Sequence, residues 1–126
     1  MIQITPTLLF AFIEVESGFR SNAFLNDRNG GSYGLMQLDL ATAQDRGYAG
    51  NAIGLYAPRV GVAIGLKTLT WLNEELDKHG LSTLENIAAA YNSGLGHVLG
   101  GGTDAPYAAK IEAAYAAWKT ILGVEA

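Results

Sequence analysis

The chain contains no cysteine. That excludes disulfides, thiolate metal sites and a cysteine nucleophile, and leaves the compartment open. Histidine is scarce as well: His79 and His97 are the only two, far apart and without paired spacing, so neither a zinc site nor another metal centre is expected. Charge is sparse at 16% of residues, and the formal net charge is −4. With its few basic residues scattered, the chain has no electrostatic footprint for nucleic acid or anionic lipid. A long apolar run is also missing. The stretch from Leu8 to Ile13 is too short to span a bilayer, and no basic residue precedes Arg20, so it reads as a core helix and not as a signal peptide. Membrane insertion is not expected, nor is any organic cofactor, and a monomer is the expected state.

What is present is hydrophobic residue content of 49% over 126 residues, enough to bury a core in a single domain covering 1–126. Period-two alternation is rare and helical signals dominate. Thr5-Pro6 opens a first helix and Gly18 stops it. Asp39 is placed to cap a short second helix ending near Gly47. Pro58 opens a long third helix, with Gly80 just past its end. Ser82 and Glu85 form a capping-box pattern for a fourth, from Leu84 to about Asn92, which Gly94 ends. Asp104 and Pro106 open a fifth, running towards Leu122. The expected fold is therefore mostly α, with about five helices and little or no sheet. Two polar, glycine-rich loops remain, Gly18 to Tyr33 and Gly94 to Thr103, and such loops on a helical scaffold commonly carry a site.

Glu16 is the most informative residue. On a helix it shares a face with Leu9 and Ile13, and with Leu8 and Phe12, whereas Glu14 points elsewhere. It also lies at the helix C-terminus, where the dipole disfavours a carboxylate. Burial and dipole together are expected to raise its pKa, which suits a group that protonates a leaving oxygen. The plainer alternative is a glutamate that merely holds a neighbouring loop in place.

Three separated motifs shift that balance: Glu16-Ser17-Gly18-Phe19; Gly34-Leu35-Met36-Gln37 followed by Thr42-Ala43; and Ala90-Tyr91-Asn92-Ser93-Gly94. Ala57-Pro58-Arg59-Val60 and Gly65 lie between the second and third, and Tyr107 and Ile111 follow. In this order they resemble the soluble lytic transglycosylase domain of the lysozyme superfamily, from about Leu8 to Ile111. The resemblance implies a lysozyme-like fold and cleavage of the β-1,4 bond between N-acetylmuramic acid and N-acetylglucosamine in peptidoglycan glycan strands, the expected partner. It implies Glu16 as acid and then base, giving 1,6-anhydro products. Tyr91 would be the tyrosine beside the catalytic carboxyl. Met36, Gln37 and Asn92 would line the sugar groove, Tyr107 would face the same pocket, and Ser32 and Tyr33 are further expected substrate contacts.

The sequence departs from this pattern in the first loop, which is longer than usual in the family and reads Leu25-Asn26 where a serine is often found. Its stretch Asn26-Asp27-Arg28-Asn29-Gly30-Gly31-Ser32-Tyr33, with Asp39 after Gln37-Leu38, resembles goose-type lysozymes. Under that alternative the enzyme is a hydrolase in which Asp27 or Asp39 orients water, the two carboxyls standing roughly 6.5–9.5 Å apart. The structural alternatives are a turn residue with Arg28 nearby for Asp27 and a helix cap for Asp39. A third reading is a non-catalytic wall-binding or virion structural module. Action on the wall places the protein in the periplasm or outside the cell. Small size and the missing signal peptide would suit a phage endolysin or export by a larger parent.

Overall fold

The computed structural model describes residues 1–27 and 30–124. Among these the elements are α1 (Pro6–Ser17), β1 (Phe24–Leu25), β2 (Ser32–Tyr33), α2 (Leu40–Asp45), a 3-10 helix (Ala52–Tyr56), α3 (Pro58–Asp77), α4 (Leu84–Ser93), α5 (Leu95–Leu99) and α6 (Ala105–Leu122). The mostly helical expectation holds, with six α-helices among the described residues where about five were expected. The additional one, α5, lies inside the second glycine-rich loop. That loop is further closed by His97, whose Nε2 donates to the Thr103 carbonyl at 2.9 Å.

The helix boundaries follow local chemistry. Thr5 Oγ1 accepts from the Leu8 N–H at 3.2 Å, capping α1 just before Pro6. Asp39 Oδ1 accepts from the Thr42 N–H at 2.6 Å and starts α2. The start of α4 differs from the expected capping box. Thr83, not Ser82, is its cap, accepting from the Asn86 N–H at 3.1 Å. Ser82 is drawn into a longer-range contact: its hydroxyl donates to Asn73 Oδ1 at 2.6 Å and accepts from the Ile2 N–H at 2.9 Å.

The chain forms two compact units. The first comprises Met1–Phe12 and Leu69–Ala126. In it Leu8, Phe12, Leu72, Leu76, Ile87 and Ile111 are buried, α4 packs on both α5 and α6, and Phe10 meets Trp118 edge-on at 5.6 Å between ring centroids. The Asn73 carboxamide secures the N-terminal segment by donating to the Ile2 carbonyl at 2.8 Å.

The second unit is Ile13–Thr68. Its core holds Met36, Leu38, Ala43, Leu55 and Ile64. A two-stranded antiparallel hairpin pairs Phe24 with Tyr33 and Leu25 with Ser32, and Tyr33 also bridges to Leu38. Two residues per strand are too few to display an alternating pattern, which is why this region reads as loop in the sequence.

Gly34 is the tightest point of the second unit. Its φ is +77°, and a Cβ there would run into the Leu55 carbonyl oxygen. Backbone cannot rotate away as a side chain can, so both strain and overpacking act. Gly34→Ala is expected to cost about 2–4 kcal/mol. Thermal melting checks this: a melting temperature roughly 10 °C lower is expected, and a curve overlaying the parent's would contradict the packing.

Candidate functional site

In the second unit, α1 delivers Glu16 on its last turn. Glu16 is half-buried while Glu14 is exposed, in line with the face assigned from helical periodicity. The helix ends with Ser17, which is buried and donates its hydroxyl back to the Ile13 carbonyl at 3.0 Å. Gly18 and Phe19 then both adopt left-handed backbone, φ 60° and 64°, which turns the chain sharply away from the carboxyl-bearing turn.

The chain returns through the hairpin to Gln37, another non-glycine residue in left-handed backbone, φ 50°. Its Nε2 donates to the Ala23 carbonyl at 3.1 Å and to the Gly34 carbonyl at 3.0 Å. The side-chain amide thus staples the base of β1 to the turn that carries Gln37 itself. Met36, beside it, is 0% exposed and sits under Gly65, where any Cβ would collide with its Cγ and Cε. Ser32 is 2% exposed and donates its hydroxyl to Asp27 Oδ1 at 2.7 Å. Met36 and Ser32 were both expected to touch sugar. Both are buried, and Ser32 braces the loop from inside through its bond to Asp27. Asp39 is 6% exposed and serves as the α2 cap. Arg28 and Asn29, the remaining members of the loop motif, lie outside the described residues.

In the first unit, the third motif closes α4. Tyr91 is half-buried, with its ring edge-on to Phe12 at 5.2 Å and 65°. Asn92 Nδ2 donates to Asp104 Oδ2 at 2.7 Å, and the Ser93 hydroxyl donates to the same oxygen at 2.8 Å. One carboxylate therefore ties the end of α4 to the start of α6. These two donors hold the Asp104 carboxyl below its ordinary value of 3.8, the Asn92 bond contributing most and the Ser93 bond next. Tyr107 is buried in the first turns of α6. Asp104 was read from the sequence only as a helix opener. Its grip on Asn92 and Ser93 joins residues eleven and twelve positions apart, beyond the reach of local pattern.

Among the described residues, no group of three or more histidine, cysteine, aspartate or glutamate side chains could hold a metal ion, and no helix is long and apolar enough to cross a membrane.

The sequence profile of the Transglycosylase SLT domain matches residues 1–113. The chain belongs to this family. Two solved structures are similar to it. The lytic transglycosylase Slt from Pseudomonas aeruginosa, an inactive mutant with glutamine in place of a glutamate, matches at a TM-score of 0.82 and 20% identity, over 98% of this chain and 23% of that one. The 70 kDa soluble lytic transglycosylase from Escherichia coli matches at 0.81 and 21% identity, over 97% of this chain and 23% of that one. These likenesses establish the lysozyme-like fold. The chain spans 23% of the length of either protein. No curated protein sequence matches the chain.

Glu16, Asp27, Ser32, Tyr33, Met36, Gln37 and Asp39 lie within the second unit, and Tyr91, Asn92 and Tyr107 within the first. The Asp104 tie has a pH signature. A carboxyl whose folded-state pKa is depressed stabilises the fold above its unfolded value, and that stabilisation is lost as pH falls through the folded value. The gap in melting temperature between the parent and Asp104→Ala is therefore expected to be widest above about pH 5 and to shrink as pH drops below 3.8. A gap that stays constant across that range would refute the assignment.

Proposed function

We propose that this SLT domain is a peptidoglycan lytic transglycosylase with Glu16 as its catalytic residue. The observation that carries the reading is Glu16 itself: a half-buried carboxyl on the last turn of α1, followed by two left-handed residues, in a chain of this family. Protonated, Glu16 donates its proton to the glycosidic oxygen between N-acetylmuramic acid and N-acetylglucosamine as the C1–O bond breaks. The carbonyl oxygen of the substrate's own N-acetyl group closes on C1 and takes up the positive charge. Glu16, now a carboxylate, accepts the proton of the 6-hydroxyl. That oxygen attacks C1, the N-acetyl group is released, and a 1,6-anhydro ring forms. The Glu16 proton is restored without water or a second carboxylate. Tyr91 and Asn92, on the last turn of α4, are proposed to contact the sugar.

A hydrolase of goose type would need Asp27 or Asp39 for water. Each already has a structural partner: Asp27 receives the buried Ser32 hydroxyl, and Asp39 caps α2. These structural uses favour the one-carboxyl mechanism. The proposed setting is the bacterial wall, in the periplasm or outside the cell.

Glu16→Gln keeps the side chain's shape and removes the proton-transfer chemistry. It is expected to slow clearing of a cell-wall suspension by on the order of 10²–10⁴-fold, with an unchanged melting temperature showing an intact fold. A folded variant that clears walls at the parent rate would eliminate Glu16 as the catalytic acid.

A further inference from the structure

The hairpin carries an aromatic platform that the cleavage chemistry leaves unused. Phe24 and Tyr33 face each other across β1 and β2, so their side chains emerge on one face. Their ring centroids are 5.1 Å apart, with planes tilted by 53°. Tyr33 in turn meets Tyr56 of the 3-10 helix edge-on, at 5.4 Å and 82°. All three rings belong to the second unit, as Glu16 does. Large apolar side chains are normally withdrawn from water. Here Phe24 is 49% exposed and the adjacent Leu25 is 58% exposed.

The exposed ring is nevertheless held. A Cβ at Gly31 would lie 2.5 Å from Phe24 Cε1 and 2.9 Å from Cζ, so the ring rests directly on hairpin backbone that only glycine leaves bare. The strand beneath it is anchored at Ala23, whose carbonyl accepts from the Gly34 N–H at 2.8 Å and from Gln37 Nε2 at 3.1 Å. The Tyr33 hydroxyl donates to the Gly30 carbonyl at 3.2 Å and supplies a polar edge.

A fixed, half-exposed ring with a polar edge is complementary to a pyranose. The axial C–H groups of a β-linked N-acetylhexosamine form an apolar face of slight positive charge, and the face of an aromatic ring is negative. Three rings match one or two sugars. They fall well short of the roughly 800 Å² per partner that a stable protein interface buries. We infer that Phe24, backed by Tyr33 and Tyr56, is a stacking subsite for an N-acetylhexosamine ring of the glycan strand. This rests on the glycan-cleaving reading above, and adds a residue whose contribution is grip, not proton transfer.

The test titrates a soluble β-1,4 N-acetylglucosamine hexamer into Glu16→Gln protein by calorimetry, then into the same protein carrying Phe24→Leu or Phe24→Trp. Leucine keeps an apolar side chain without the ring, whereas tryptophan keeps a ring. About three- to tenfold weaker binding is expected for Phe24→Leu, with Phe24→Trp near the parent. With Glu16 restored, Phe24→Leu should raise KM on glycan strands and leave kcat close to the parent value. Equal hexamer affinity for the leucine and phenylalanine proteins, or no hexamer binding by either, would overturn the inference. Because binding is read on catalytically silenced protein, a Phe24-dependent affinity in a protein that cleaves no wall would contradict the enzymatic reading and leave the subsite standing.

Discussion

The second unit depends on one side-chain amide. Gln37 sits in left-handed backbone, an arrangement that costs a non-glycine residue roughly 1–2 kcal/mol and persists only where its surroundings enforce it. Its Nε2 does so by bonding two carbonyls, Ala23 and Gly34. This one knot sets the base of the hairpin and the turn against Leu55. Loss of that amide would remove one of the ties at the base of the hairpin, beside the Gly34 N–H to Ala23 carbonyl bond, in the same unit that carries Glu16.

Asp104 plays the corresponding part in the first unit. Two side-chain donors from the end of α4 converge on one of its oxygens, so a single ionised group joins the third motif to α6. The two ties differ in kind. Gln37 is neutral and acts at any pH. Asp104 depends on its charge and weakens in acid. Among the motif residues, Glu16 and Tyr91 are half-buried, while Ser32, Met36 and Tyr107 are buried.

Much of this was legible wherever the determining chemistry is local. Thr5-Pro6, Gly18, Pro58 and Asp104-Pro106 each mark a helix end within three or four residues of their effect, and the structure places the ends there. The face on which Glu16 lies follows from helical periodicity alone. Legibility stopped where distant partners decide. Ser82 has the pattern of a cap but is claimed by Asn73 and Ile2, leaving the role to Thr83. The hairpin is too short to show a period, and α5 is masked by surrounding glycines. Motif residues gave no sign of which ones turn inward. Met36 is enclosed because Gly65 leaves room for it, a contact between positions twenty-nine apart in the chain.

The central claim is that one carboxyl suffices, with the substrate's own hydroxyl in place of water. The most direct measurement is mass spectrometry of the muropeptides released from purified peptidoglycan. The account predicts products ending in 1,6-anhydro-N-acetylmuramic acid, lighter by one water than the hydrolysed form. Products with a free reducing end would contradict it and return Asp27 and Asp39 to consideration as the water-orienting group.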